Sequence, residues 1–357
     1  MTPVQGHRGK AYIASLGTST PSLRIDQKKG GLILTEHYSD TLKPRSINLL
    51  RKLSAHPSIA HRYFAVDNPE TLFTEDPDSR IARFTEWSVR LSSDAVMQAI
   101  KEVKVGVGDI RGIIVNTCTG YICPGISTYL IENLGLRRDV RTYDLVGSGC
   151  AGAVPNLQLA EALAQQTPEG VIVSVSSEIC SATFQMSDDL SLLVSNTLFG
   201  DGAAAAVISK KPGALEIVDT QNIIVPEERE YIRYIHKNGE LHNQLSMDLD
   251  AHVKKAVAHV VDTLLSRWSL RGADIAHWAL HTGGEKIING IKEELGLAEE
   301  QLIATRSVLR DYGNMSSPTV LFVLKKLFDR GIKEGEWCVM VAFGAGLSAY
   351  ACLLRKS

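Results

Sequence analysis

Asp144-Leu-Val-Gly147-Ser-Gly149-Cys150-Ala-Gly152-Ala153 is the stretch on which the reading of this chain turns. A short apolar strand breaks there at glycines, and a helical pattern follows from Gly152 to Gln166. Cys150 falls within one or two residues of that helix start. Unpaired N–H groups and the positive end of the helix dipole favour a thiolate over a thiol at such a place. A thiolate is the form that attacks an acyl thioester. A free cysteine at a strand end is also commonly no more than a small buried hydrophobe. The same residues spell a third meaning, because Gly147-Ser-Gly149-Cys-Ala-Gly152 is the G-x-G-x-x-G of a dinucleotide-binding turn, with Glu178 after the next strand as the ribose acid.

Outward from this stretch, short β-rich runs alternate with longer helical patterns. Ile110–Asn116, Gly170–Ser177, Ala203–Ser209, His277–His281 and Trp337–Phe343 read as strands. Gly152–Gln166, Ala251–Arg267, Lys286–Leu295 and Pro318–Arg330 read as helices. Such alternation predicts an α/β fold with parallel strands covered by helices. A weak internal repeat sharpens this. Asp109-Ile-Arg-Gly-Ile-Ile-Val leads to a loop, Cys150, a helix and the strand Gly170–Ser177; Asp274-Ile-Ala-His-Trp-Ala-Leu leads to a loop, Asn314, a helix and the strand Trp337–Phe343. A repeat this long suggests a duplicated domain, although chance βαβ similarity produces the same impression in many α/β chains. The expected division is 1–215, carrying Cys150, and 216–357, carrying His281 and Asn314. Met1–Arg90 fits less well, with helical patterns near Ser46–His56 and over Arg80–Lys104.

Composition excludes several classes. The 357 residues, 44% of them hydrophobic, suffice for one large core or two fused halves. A net charge of −2 leaves no electrostatic footprint for nucleic acid or an anionic membrane, and the Lys28-Lys29 pair lies in a mixed stretch. The N-terminus lacks the apolar core of a signal peptide, and no apolar run approaches a membrane span. Six cysteines in a chain this long make no disulfide scaffold, and Cys118-x4-Cys123 has no second pair to complete a zinc site. The expectation is a reduced, cytoplasmic, metal-free α/β protein.

A cysteine becomes a persuasive nucleophile when a base and an oxyanion stabiliser accompany it. His281 closes the apolar run His277-Trp-Ala-Leu-His and precedes Thr282-Gly283-Gly284, a turn that exposes its side chain; a histidine there also simply caps a loop. Asn314 lies in Tyr312-Gly-Asn-Met-Ser-Ser-Pro, a tight loop feeding a helix, where an ordinary N-cap is the plainer role. Cys150, His281 and Asn314 occupy equivalent places in a duplicated fold. A thiolate, an imidazole and a carboxamide donor converging on one point suit thioester chemistry, the cysteine carrying an acyl group while the other two hold the carbonyl oxygen of a second thioester. The dinucleotide reading, an NAD(P)-binding oxidoreductase, leaves His281 and Asn314 without a task. Its strand Arg141–Val146 is also polar for a central one.

These residues resemble the type III polyketide synthases, the chalcone-synthase-like branch of the thiolase superfamily. The likeness runs from about Ala11 to Leu354 and is densest in Leu198-Phe-Gly-Asp-Gly-Ala-Ala-Ala, His281-Thr-Gly-Gly, Tyr312-Gly-Asn-Met-Ser-Ser and Ala342-Phe-Gly-Ala-Gly-Leu. The resemblance implies a five-layered αβαβα fold with mixed sheets, a homodimer, Cys150 as acyl carrier, and His281 and Asn314 as partners in decarboxylation. It implies Phe199 as a gatekeeper between a CoA tunnel and the cavity, Thr183, Ser316 and Cys118 as cavity-lining positions, and Cys123 as a residue reaching across the dimer interface. It places Leu241 where a second gatekeeper phenylalanine stands in relatives. Lys52, with Arg51 beside it, falls at a basic CoA-contacting position, though a solvated helix face accounts for either one.

Leu49 and His56 replace lysines that plant members direct to CoA phosphates, so CoA is held differently or a carrier protein delivers the starter. Thr282 and Ala345 replace prolines near the cavity. The implied activity is loading of a starter acyl thioester on Cys150, extension with malonyl-CoA by decarboxylative Claisen condensation, and cyclisation, with no metal or redox cofactor. A single-condensation enzyme like ketoacyl synthase III is the alternative within the same chemistry.

Overall fold

The computed structural model describes residues 10–167, 169–212 and 214–357; most of the N-terminal segment read above for a signal peptide lies outside them. The first half runs β1 (Ala11–Ser19), β2 (Leu23–Asp26), α1 (Gln27–His37), α2 (Pro44–Ser54), β3 (His61–Phe64), α3 (Thr71–Thr74), α4 (Pro77–Glu102), β4 (Ile110–Asn116), α5 (Ile126–Leu134), β5 (Arg141–Leu145), α6 (Ala153–Gln165), β6 (Val171–Glu178), α7 (Leu190–Leu198) and β7 (Gly202–Ser209). The second runs β8 (Leu215–Ile224), the hairpin β9 (Ile232–Lys237) and β10 (Glu240–Leu245), α8 (Leu249–Arg267), β11 (Ile275–Leu280), α9 (Glu285–Leu295), α10 (Ile303–Tyr312), α11 (Thr319–Arg330), β12 (Trp337–Gly344) and β13 (Ser348–Lys356).

The helix expected over Arg80–Lys104 begins three residues earlier, at Pro77. Proline is preorganised for a first helical position, and Asp76 caps it by accepting from the N–H groups of Asp78 and Ser79. The helix expected from Gly152 starts at Ala153, after a tight 3-10 turn over Gly149–Ala151. The strand expected to end at His281 ends at Leu280, which puts the histidine on the connecting loop. The boundary drawn between residues 215 and 216 falls at the start of β8.

The repeat is a repeat of topology. In the first half β4 is parallel to β6, β6 antiparallel to β7, and β7 antiparallel to β1. In the second half β11 is parallel to β12, β12 antiparallel to β13, and β13 antiparallel to β8. Even the turns that lead in match: Asp109 accepts from the Gly106 N–H and Asp274 from the Arg271 N–H, each closing a short turn that feeds a strand. Helices α5 and α9 both stop at a left-handed glycine, Gly135 and Gly296, followed by leucine. Antiparallel pairing of Ala11–Ile13 with Leu215–Ile217 joins the halves into the order β11-β12-β13-β8-β1-β7-β6-β4-β5.

Packing gives the layers. Helix α6 contacts β4, β6 and β7 of its own half and β12 and β13 of the other, while α11 contacts β11 and β12 but also β1 and β7. These two helices therefore lie between the sheet halves, and their apolar faces build one core around Leu157, Ala160, Leu321 and Leu324. Helix α4 covers the outer face of the first half, and α8 with α9 that of the second. The result is the αβαβα order, and it sends the starts of both central helices toward one place. Among the described residues no helix is long and apolar enough to cross a membrane.

Candidate active site

Cys150 sits in the 3-10 turn between β5 and α6, 9% exposed. Its neighbouring glycines each answer a steric demand. Gly149 has a φ of +54° and lies where a Cβ would come within 2.9 Å of the Ala345 nitrogen. From the other half, Gly344 at the end of β12 packs so closely on the turn that a Cβ there would stand 2.5 Å from the Ser148 oxygen and 2.9 Å from the Cys150 nitrogen. Gly152 lets α6 approach Asn116. The glycines thus shape an elbow and a contact between halves, which removes the phosphate-cradle reading. Glu178 removes the ribose reading as well, because it is fully buried and turned inward.

The thiol of Cys150 receives a hydrogen bond from Ser316 Oγ at 3.2 Å. Ser316 has a φ of +59° and follows Asn314, whose Oδ1 accepts from the Ser316 N–H at 2.7 Å. Asn314 therefore makes a local side-chain turn and does not cap α11, whose N-cap is Pro318. With its carboxamide oxygen engaged, the Nδ2 group is the end free to donate. The backbone of Asn314 is clamped to the residues flanking Phe199: its N–H donates to Leu198 O, and its carbonyl accepts from the Gly200 N–H. His281 is 1% exposed, its N–H bonded to Val341 O and its ring edge-on to Phe343 at 5.0 Å. Thr282 Oγ1 reaches Gly313 O at 3.5 Å, so the loops carrying His281 and Asn314 adjoin. Neither ring nitrogen of His281 has a hydrogen-bond partner among the described residues.

Burial acts against the thiolate expected at this place. Burial pushes the Cys150 thiol up to about 12, with Glu178 adding to the rise and the Ser316 hydrogen bond opposing it. Burial alone holds the His281 imidazole down at about 3. Burial thus works against the charged form of both groups, and against the pull of the α6 start toward a thiolate.

A small cavity of about 20 Å³ touches Cys150. Cys118, Phe199, Ser316, Tyr234, Asn243 and Leu245 are among its walls. Cys118 Sγ lies 3.3 Å from Ser316 Oγ. Phe199, just past α7, has its carbonyl bonded to Arg62. Thr183 faces a neighbouring apolar cavity instead, and its hydroxyl donates to Cys180 O. Leu241 lies outside both cavities; Leu245, four residues on along the same face of β10, takes the wall position. Cys123 is exposed and does not reach its own chain's cavity. Arg51 and Lys52 are exposed in the last turn of α2. His56 lies 3.3 Å from Glu285.

Sequence reasoning missed the hub of the site. Glu178 Oε2 accepts from the N–H groups of Cys118 and Thr119 and from the hydroxyls of Thr117 and Thr119, while Oε1 accepts from Ser317 at 2.5 Å. It ties the Cys118 loop of one half to the Ser316–Ser317 loop of the other. The available signal was a carboxylate ending the otherwise uncharged, fully buried run Val171–Glu178. Tyr234, on the β9 hairpin, was also unforeseen.

The two halves of a duplicated, thiolase-like αβαβα fold thus set the Cys150 turn of one against the Asn314–Ser316 loop of the other, with the His281 loop adjoining. The chain belongs to the chalcone and stilbene synthase family, the type III polyketide synthases, acyltransferases that work on CoA thioesters: residues 1–212 match the N-terminal domain of that family and residues 216–357 its C-terminal domain. Among curated relatives, the 3,5-dihydroxyphenylacetyl-CoA synthase of Streptomyces toyocaensis is 31% identical over 303 residues, 81% of this chain and 77% of the relative. That of Amycolatopsis orientalis is 30% identical over 317 residues, 86% and 85% of the two chains. The type III polyketide synthase domain of Steely1 from Dictyostelium superposes with a TM-score of 0.90 at 26% identity, covering 97% of this chain and 99% of that one. PKS-I from the brown alga Ectocarpus siliculosus gives 0.89 at 28%, covering 99% and 100%. The oxidoreductase and single-condensation readings are set aside in favour of this family.

Proposed function

We propose that Cys150 carries the acyl chain, with His281 and Asn314 acting on the thioester carbonyls. The observation that supports this most is the unbroken link Cys150–Ser316–Asn314, at 3.2 and 2.7 Å, beside an imidazole with no other partner among the described residues. In loading, neutral His281 takes the Cys150 proton as sulfur attacks the starter carbonyl. The S–C bond to Cys150 forms, the C–S bond to CoA breaks, and CoA leaves as a thiol with the proton from His281. Malonyl-CoA then loses carbon dioxide. The resulting enolate places its charge on the thioester oxygen, where Asn314 Nδ2–H and an N–H of His281 donate to it. The enolate carbon attacks the acyl-Cys150 carbonyl, a C–C bond forms, and the Cys150 sulfur leaves. Phe199 orients the malonyl group. Ser316, Cys118 and Leu245 shape the space for extension and ring closure.

In this reading no metal or redox cofactor takes part, since the thioester and released carbon dioxide drive the condensation. Arg51 and Lys52 meet the CoA phosphates at the outer end. The protein works in the cytoplasm as a homodimer paired along β5, one of the two end strands of the sheet, near which Tyr121, Tyr143 and Val146 are exposed. Cys123 then reaches toward the partner. The test is product analysis by mass spectrometry with malonyl-CoA alone and with acyl-CoA starters. Malonyl-dependent products longer than one condensation are expected, and Cys150→Ala abolishes them. Linear single-condensation products throughout would overturn the polyketide assignment.

A further inference from the structure

Asn116, 3% exposed at the end of β4, stands one hydroxyl away from the Glu178 hub. Its carboxamide is held from three sides. Asn156 Nδ2 on α6 donates to the Ile114 and Val175 carbonyls, which fixes it as nitrogen, and also to Asn116 Oδ1 at 2.9 Å. The Ser176 hydroxyl on β6 donates to the same Oδ1 at 2.7 Å. Asn116 Nδ2 therefore points the other way, toward the second half, and donates to Ser317 Oγ at 2.8 Å. Gly152 leaves room for it, since a Cβ there would stand 2.6 Å from that nitrogen. With an N–H donor on its oxygen, Ser317 turns its single proton to Glu178 Oε1, 2.5 Å away. Burial pushes the Glu178 carboxyl up, and this hydrogen bond leads those that oppose the rise. Ser316 Oγ lies 3.5 Å from the same Oε1 and 3.2 Å from Cys150 Sγ. With Ser317 serving the carboxylate, the Ser316 proton is left to the sulfur.

We propose that Asn116 is a positioning residue of the acyl-transfer site: it fixes the direction of the hydrogen bonds through Ser317 and Glu178, so that Ser316 donates to the Cys150 sulfur. This rests on the acyl-carrying reading of Cys150. Sulfur bears negative charge as it attacks the starter carbonyl and again as it leaves in the condensation, and a donor aimed at it counts most at those two moments. Were the Ser317 hydroxyl reversed, Glu178 Oε1 would lose its donor and draw the Ser316 proton to itself, leaving the sulfur without one. Asn116 thus acts on the sulfur through two serines and a carboxylate, and touches no substrate.

The experiment uses Asn116→Asp on the full chain, which changes the donor nitrogen to oxygen and keeps the shape. Protonated, the new carboxyl still donates to Ser317; ionised, it only accepts, and Ser317 turns away from Glu178. Burial and the neighbouring Glu178 charge raise its titration toward neutral pH. The rate of Cys150 acylation from acetyl-, hexanoyl- and malonyl-CoA is read by quenched intact mass from pH 6 to pH 9. The ratio of variant to wild type is expected near one at pH 6 and lower by about tenfold or more at pH 9, the size of one hydrogen bond to a charged acceptor. Cys118, Cys180, Tyr234 and His281 face the Cys150–Glu178 pair from the surrounding elements, but they are common to every variant and cancel in the ratio. Ser317→Ala removes the relay and should slow acylation about tenfold at every pH. Asn116→Asp added to it should change nothing further, and Asn116→Leu should match Ser317→Ala should the aspartate variant not fold. An Asn116→Asp rate equal to wild type throughout, a loss that is the same at every pH, or a pH step that survives in the Ser317→Ala background would each overturn the positioning role. Failure of the acyl-carrying reading looks different: the wild type itself then shows no adduct on Cys150 at any pH.

Discussion

Replacing His281 with glutamine should make the protein more resistant to mild acid than the wild type. The buried imidazole has a folded value of about 3 against 6.5 in the unfolded chain. A depressed folded value means that the stability tied to this group is complete above pH 6.5 and declines as pH falls toward 3, because the unfolded chain takes up a proton that the folded one refuses. Integrated from pH 7 to pH 5, the difference is about 2 kcal/mol of unfolding free energy. A carboxamide in place of the imidazole has no such proton to gain. Other buried acids, Glu178 and Asp201 among them, titrate alike in both proteins and cancel in the comparison. The measurement is denaturant unfolding followed by tryptophan fluorescence at pH 7, 6 and 5, plotted as wild type minus His281→Gln. The difference should move against the wild type by about 2 kcal/mol over that range. A flat difference would mean that the folded site takes up the same proton as the unfolded chain over this range, and the depressed value of the buried imidazole would be refuted.

Three further outcomes follow from contacts already described. Glu178→Gln should cost only about 1–2 kcal/mol, because its new N–H group can face Ser316 and Ser317, whose hydroxyls rotate to accept; Glu178→Leu should cost about 3 kcal/mol or more by orphaning the Cys118 and Thr119 N–H groups, both read from unfolding curves. Gly344→Ala places a methyl against Ser148 O and the Cys150 nitrogen, at 2.5 and 2.9 Å. It should lower kcat about 100-fold or more while near-native circular dichroism persists. On the β5 edge, Val146→Asp with Tyr143→Lys should shift the protein from dimer to monomer in size-exclusion chromatography with light scattering, and an unchanged mass would show that the partner docks elsewhere.

The strands and helices around the site were legible because their signals are local. Buried runs such as Val171–Glu178 and Trp337–Gly344 alternate with amphipathic helices, and the paired Asp109 and Asp274 turns mark the duplication. Cys150, His281 and Asn314 stood out because each lies beside glycines where a regular run ends. Three features were not legible. The thiol's rise toward 12 depends on how much water both halves jointly exclude, which the helix-start signal does not contain. Leu241 and Leu245 share a face of β10, and only the position of the hairpin along the cavity decides between them. Glu178 draws its donors from residues 60 and 139 positions away, a separation no sequence window spans.

The short pairing of Ala11–Ile13 with Leu215–Ile217 acts as a hinge-line on which the catalytic register depends. The sulfur belongs to one side of that line and the imidazole and carboxamide to the other. A slide of one half by a single residue would invert every side chain along the seam and pull the reacting groups apart while each half kept its own core. Such a protein is expected to lose turnover before it loses secondary structure, so heat inactivation should precede the far-ultraviolet melting curve.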